Sequence, residues 1–187
     1  MSIDPEATAR PVPHPPGVVR LRPLREDDLH LLRRFATEPD LLGLDWNGFR
    51  DVGAIARRFA ENGHLSDERS DLIVEVDGVT AGLVQHRQGL YSGRASYQEI
   101  GIVLLPDFRG RGIGWRAQAM LCDYLFRHWP VQRIQAGTHP ENIAEQKSLV
   151  KAGFQREGVI RAAEFRAGGW QDGVLYSRLR TDPAPLT

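Results

Sequence analysis

An α/β fold, with a mixed and mostly antiparallel central sheet covered by helices on both faces, is what this sequence predicts. Three observations predict it. Residues 72–88 and 159–180 read as hairpins, strand and helix patterns alternate between them, and residues 113–128 carry an unbroken helical apolar face. A chain of 187 residues accommodates one domain with a sizeable core. With 41% hydrophobic and 26% charged residues, disordered, collagen-like and coiled-coil classes are excluded.

The elements follow in order. Val18-Val19-Arg20-Leu21-Arg22-Pro23-Leu24 alternates apolar and basic residues, as a half-buried strand does. Asp27 offers a cap for a short helix bearing Leu29, Leu31, Leu32 and Phe35, and Val52, Ile55, Ala56, Phe59 and Ala60 recur at helical spacing as a second one. Between them lies a loop, Leu44-Asp45-Trp46-Asn47-Gly48-Phe49, with two large aromatics. Leu72–Val76 and Val79–Gln88 flank Asp77-Gly78, a favoured two-residue hairpin turn. Residues 95–105 form a strand stopped by Pro106. In the helix 113–128, the residues Ile113, Ala117, Met120, Leu121, Tyr124, Leu125 and His128 share one face, which makes His128 a packed imidazole. Arg133–Thr138 is a strand, Asn142–Ala152 a helix closed by Gly153, and 159–166 with 173–180 a hairpin across Gly168-Gly169. Five prolines between positions 5 and 16 predict an unstructured arm over 1–17, and Asp182-Pro183-Ala184-Pro185 predicts a frayed tail over 182–187. The folded domain then spans 18–181.

Several functional classes fall away on composition. Twenty-four basic residues, all arginine except Lys147 and Lys151, balance twenty-four acidic ones, so no overall field draws the chain to nucleic acid or an acidic membrane. The single cysteine, Cys122, forms no internal disulfide, and a cytoplasmic setting is the expectation. No apolar run approaches the roughly 18 residues of a membrane helix. The six histidines lack metal-site spacing, so no metal is expected, and a serine-hydrolase elbow is missing.

Arg109-Gly110-Arg111-Gly112-Ile113-Gly114 follows a strand and opens a helix. Such a turn removes obstructing side chains, aims free N–H groups outward and adds the positive end of the helix dipole, so its expected guest is an anionic group, most naturally phosphate. A Walker loop would need Lys then Ser or Thr where Trp115-Arg116 stand, and the dinucleotide G-x-G-x-x-G spacing is absent. Glycines that serve only a tight strand-to-helix turn are the competing reading.

Taken together, Glu99-Ile-Gly-Ile-Val-Leu-Leu-Pro106, then Arg109-x-x-Gly112-x-Gly114 opening an amphipathic helix, then Asn142 and Lys151-Ala-Gly-Phe154, resemble the GNAT superfamily of acyl-CoA-dependent N-acetyltransferases. The arrangement is most similar to the RimJ/RimL-like branch, which acetylates protein N-termini and small amines. The resemblance spans about residues 18–180 and implies a GNAT-like sheet and acetyl-CoA as co-substrate. It implies that the turn, Arg109 to Gly114, holds the coenzyme A pyrophosphate through main-chain amides. It also implies that the pantetheine arm lies along main chain at Ile102, Val103 and Leu104, with Asn142 near that arm. Capping the following helix is an equally available use of Asn142. Dimers occur in this family, so a homodimer is possible on the resemblance alone.

Acetyl transfer from a thioester to an amine needs a proton removed, an oxyanion stabilised and a thiolate released. Glu99 is the first choice of base, sharing a strand face with Tyr97, Gly101 and Val103. An ion pair would use the same residue. Many superfamily members place a tyrosine seven residues beyond the Asn to protonate the sulfur, but Leu149 stands there. Ser148 beside it is the available substitute, or else a solvated helix residue. Trp46 and Phe49, with Tyr97, are expected to border the acceptor pocket. The reaction expected is acetyl transfer from acetyl-CoA to a primary amine, either a peptide N-terminus or a small metabolite or antibiotic. A non-catalytic acyl-CoA-binding module is the alternative that Leu149 raises.

Overall fold

The computed structural model describes residues 17–185, so the arm expected over 1–17 falls almost entirely outside the described residues, as do the last two residues of the expected tail. Seven strands form one sheet: β1 (Val19–Pro23), β2 (Arg69–Val76), β3 (Val79–Ser92), β4 (Ala95–Leu104), β5 (Arg133–Thr138), β6 (Gln155–Arg166) and β7 (Gly169–Leu179). Their order is β1-β2-β3-β4-β5-β7-β6, antiparallel throughout except for the parallel pair β4–β5. The helices are α1 (Leu29–Thr37), the single turn α2 (Pro39–Leu42), α3 (Val52–Asn62), α4 (Ile113–His128) and α5 (Ile143–Lys151).

Period-two alternation sends successive strand residues to opposite faces, and each face has its own core. Ile73, Leu83 and Val103 pack with Leu29, Leu31, Leu32 and Phe35 of α1 and with Ile55 and Phe59 of α3. On the opposite face, Val84, Ile100, Ile102 and Ile134 pack with Ile113, Ala117, Leu121 and Leu125 of α4 and with Leu149 of α5. The expected layering with helices on both faces is therefore observed. Asp77 and Gly78 turn the β2–β3 hairpin at φ of 50° and 83°, the left-handed pair that this turn requires.

Three local expectations are corrected. Asp28, not Asp27, organises the start of α1: it is buried, accepts the Arg25 N–H at 2.8 Å and both Nη groups of Arg22 at 2.6 and 3.0 Å. The buried face of α4 is rotated from the one its apolar letters trace. Gln118 and Cys122 are fully buried while Met120 and Tyr124 are exposed, because α5 packs along the Gln118 side of the helix. His128 is consequently exposed too, tilted against Tyr124 with ring centroids 4.9 Å apart. The last hairpin is longer than expected, β6 starting at Gln155 and β7 at Gly169, with the turn at Ala167-Gly168. The polar run Gln155-Arg156-Glu157 hides its strand character because β6 is an exposed edge strand.

The feature that positions the site is a divergence between β4 and β5. They pair only at Gln98–Ile134 and Glu99–Gln135. Beyond Glu99, β4 stays bonded to β3 as far as Leu104 while β5 stays bonded to β7 as far as Thr138. A wedge opens between the two strands. Within the sheet, the β4 main chain from Ile100 to Leu104 is left without a strand partner on that side.

Candidate active site

The wedge leads into a cleft of about 630 Å³ lined by β4 (Glu99, Gly101, Ile102, Val103), the ends of β5 and α5 (Thr138, Glu145) and the α2–α3 connection (Asp45, Asn47). Beyond the wedge, β4 ends and is followed by a turn of 3-10 helix at Pro106–Phe108, and the chain then bends through Gly110 and Gly112, both in the left-handed region at φ of 71° and 72°, before α4 begins. Two such residues in a three-residue span explain why the segment is glycine-rich. None of the five N–H groups from Gly110 to Gly114 donates to a main-chain or side-chain acceptor among the described residues. The bend is therefore a row of free donors at the start of a sixteen-residue helix, the arrangement that favours a bound anion.

The arginines of the bend divide their work. Arg109 donates Nε to the Leu104 carbonyl at 2.9 Å and Nη2 to the Leu41 carbonyl, so its guanidinium fastens the bend to the end of β4 and to α2. Arg111 is exposed, its guanidinium 5.8 Å from the Phe108 ring centroid, and Arg116 stacks on Trp115 at 4.8 Å. These two lie beside the free amides. A Cβ added at Gly114 would come within 3.2 Å of Ser148 Oγ, so this glycine lets α4 and α5 approach closely.

Glu99 lines the cleft with its carboxylate 2.5 Å from Arg87 Nη2, a pair whose arginine is largely exposed. The ion pair expected as the competing use of this residue is formed, at the wall of the cleft. Asn142 caps α5, its Oδ1 accepting the Glu145 N–H at 3.2 Å. Ser148 donates its hydroxyl to Gln118 Oε1 at 2.7 Å, and Leu149 is wholly buried in the core. Tyr97 packs over Gly89 and against Tyr91, ring centroids 4.7 Å apart, outside the cleft lining. Trp46 and Phe49 contact each other edge to face at 5.3 Å, and Phe49 is 78% exposed. Their loop does border the cleft, but through Asp45, Asn47 and Arg50 rather than through the aromatics.

Reasoning from sequence missed the cleft's other polar groups. Glu145 lies under the wedge, and burial pushes its carboxyl up to about 7, against the lowering effect of the Gln118 hydrogen bond and with a further rise from the charge of Asp45. Asn142-x-x-Glu145 has capping spacing, so the sequence signals a helix start and nothing about a cleft. Asp45 is itself raised by burial, although the Arg166 charge opposes the shift. On the opposite wall, Asp71 meets His64 Nδ1 at 2.7 Å and Arg58 Nη1 at 2.6 Å. Burial pushes the Asp71 carboxyl up, but the His64 hydrogen bond and the Arg69 and Arg58 charges outweigh it and leave the group below its ordinary value. Cys122 offers no chemistry, since complete burial pushes its thiol up to about 12.

The fold, the splayed strands and the glycine bend agree with one further observation. The profile of the acetyltransferase (GNAT) domain matches residues 19–155. The chain belongs to this family. Among curated relatives, a probable N-acetyltransferase YjcK of Bacillus subtilis is 35% identical over 83 residues, covering 44% of this chain and 46% of that protein. The chain thus aligns with about half the length of YjcK, and with 54% of the uncharacterized N-acetyltransferase YnaD of the same organism. Spermidine N(1)-acetyltransferase of Escherichia coli is 26% identical over 165 residues, or 83% of each chain. Two solved structures share this GNAT architecture. The Vibrio cholerae spermidine N-acetyltransferase in complex with CoA and spermine superposes with a TM-score of 0.76 at 20% identity, covering 88% of this chain and 96% of that one. Mycobacterium smegmatis RimJ in complex with CoA-disulfide gives 0.72 at 25% identity, covering 88% and 83%. No helix among the described residues is long and apolar enough to cross a membrane.

Proposed function

We propose that this GNAT protein transfers an acetyl group from acetyl-CoA to a primary amine, with the CoA diphosphate on the amides of residues 110–114. The observation that carries the reading is the row of free N–H groups at the head of α4, next to a strand edge left without a partner by the wedge. The residues fit the group. The bend offers several donors to an anion, and on the β4 edge the main chain of Ile102 and the N–H of Leu104, which flank Val103, offer donors and an acceptor to the amides of a pantetheine arm. Arg111 and Arg116 add positive charge beside the bend, while Arg109 shapes it.

Bound there, acetyl-CoA supplies an activated acyl carbon. The chain's residues supply the rest. Glu99 takes the amine's proton, directly or through water, and its position on the cleft wall next to the wedge supports that role. A main-chain N–H of β4 near Val103 is available to hold the oxyanion, since it needs no particular side chain. The acceptor enters over the Asp45–Arg50 segment, where Asp45, Asn47 and Arg50 offer charge and hydrogen bonds to a polar amine. Both a peptide N-terminus and a small polar amine fit this chemistry. The relatives' activity on spermidine makes polyamines the first small amines to try.

Thiol release from acetyl-CoA in the presence of a panel of amines and N-terminal peptides tests the reading. Turnover with at least one amine is expected. Tight binding of acetyl-CoA with no thiol release for any acceptor would favour the non-catalytic alternative, and no binding at millimolar acetyl-CoA would remove both.

A further inference from the structure

Ser148, the substitute the sequence offers as proton donor to the departing sulfur, is poorly placed for it, and the position where a tyrosine is common supplies none. Leu149 is in the core and carries no proton to give. Ser148 has committed its hydroxyl hydrogen to Gln118 Oε1. That bond has a second consequence. With Oε1 of the fully buried Gln118 occupied, its Nε2 points to α5 and donates to Glu145 Oε1 at 2.5 Å. A chain Ser148, Gln118, Glu145 therefore crosses from α5 to α4 and back, and it ends in a carboxyl that faces the cleft between the diverging strands.

We infer that Glu145, oriented by Gln118, is the proton donor to the leaving thiolate, an inference that rests on the acetyl-transfer reading above. Because Oε1 accepts from Gln118, the proton is carried on Oε2. The step balances. The amine nitrogen forms a bond to the acyl carbon as the carbon–sulfur bond breaks, and the electron pair of that bond goes to sulfur. Sulfur takes the Oε2 proton of Glu145, while the amine's surplus proton goes to Glu99. Each turnover leaves Glu145 ionised and Glu99 protonated, and exchange with solvent resets both.

The surroundings suit a carboxyl that stays protonated near neutrality. Burial is the main cause of its elevation to about 7, and Asp45, from the α2–α3 connection, adds like-charge repulsion. Asp45 is itself flanked by Arg166 and Glu164 of β6 and by His139 beyond β5. On the sheet wall Glu99 is paired with Arg87, and Asp71 of β2 is paired with Arg58 of α3 and lies near Arg69. Opposing the rise are the Gln118 N–H and the dipole at the start of α5.

The test is the pH dependence of kcat together with a direct titration of the carboxyl. In the native enzyme kcat should fall above a pH no lower than about 7. Glu145→Gln should lower kcat by about 100-fold, abolish that alkaline limb and leave the acetyl-CoA Kd within threefold. Carbon-13 NMR of glutamate carboxyls in the ligand-free protein should show one resonance titrating near 7 that disappears in Glu145→Gln. Gln118→Leu removes a donor that lowers the Glu145 pKa, so it should move the limb and the resonance to higher pH, an effect that simple loosening of α4 against α5 would not produce. An unchanged alkaline limb in Glu145→Gln, or a Glu145 resonance titrating below 5, overturns the inference while leaving acetyl transfer intact. A native protein that releases no thiol with any amine overturns the underlying reading instead.

Discussion

Replacing Gly112 by aspartate separates strain in the glycine bend from its electrostatic function. Gly112 has φ of +72°, and a Cβ there would stand 3.3 Å from Arg116 Nη1 and Trp115 Nε1, both ends of long side chains that can give way. A non-glycine residue in the left-handed region costs about 1–2 kcal/mol, a cost that Gly112→Ala bears in full and Gly112→Asp in lesser measure, because a short polar side chain can hydrogen-bond locally there. The aspartate adds a unit negative charge within the cradle. At about 5 Å from one unit of diphosphate charge, Coulomb's law gives about 0.8 kcal/mol of repulsion in a water-like medium and about 3.3 kcal/mol at an effective dielectric of 20. A middle value of about 2 kcal/mol corresponds to about 30-fold weaker binding. The same carboxylate at the head of α4 should recover about 0.3–1 kcal/mol of fold stability through the helix dipole. The two variants should therefore rank in opposite orders, Asp the more stable by thermal unfolding and Ala the tighter binder by calorimetry with CoA. An aspartate variant that binds CoA within threefold of the alanine variant would refute this reasoning.

Three further outcomes follow from particular contacts. Glu99→Gln should lower kcat by about 10²-fold or more while leaving the acetyl-CoA Kd unchanged, and equal turnover in steady-state assays would assign the base elsewhere. Gly82→Ala puts a Cβ 2.1 Å from the Val103 carbonyl oxygen, so β3 and β4 must part where β4 borders the wedge. A loss of about 2–4 kcal/mol in urea denaturation is expected from overpacking and weakened ladder bonds, and a loss below about 1 kcal/mol would contradict that packing. Hydrogen bonds from Arg133 and then from Ser177, and the Arg133 charge, hold Glu157 down at about 2. Because its folded pKa lies below the unfolded one, its contribution is present at neutral pH and is lost as pH falls from about 4.5 toward 2. Glu157→Gln should flatten the pH dependence of stability across that window, and an unchanged acid slope would contradict the assignment.

The sheet and the long helices were legible because their signals are local. The Asp77-Gly78 turn, the span of the helix 113–128 and the Gly153 stop need no tertiary context, and each is found where the sequence puts it, although the face that α4 buries is not. The glycine bend was legible for the same reason, as adjacent residues share one backbone constraint. Polar residues buried by helix packing were not. Gln118 reads as a surface residue and Glu145 as a capping residue until α4 and α5 are laid side by side. The aromatics Trp46 and Phe49 drew the eye to the right loop, yet the cleft is lined by their small polar neighbours, since which side of an irregular segment faces a cavity leaves no periodic trace. The divergence of β4 from β5 was equally invisible, because it depends on the separate partners that hold the two strands apart.

The central claim is that the amides from Gly110 to Gly114 grip a diphosphate, and amide chemical shifts in a nitrogen-15 titration of the native protein with CoA report on it directly. The largest shifts should fall on those five N–H signals, saturate with the calorimetric Kd, and be reproduced in part by 3′-phosphorylated ADP. Saturating CoA that leaves these five signals in place while moving others would contradict it.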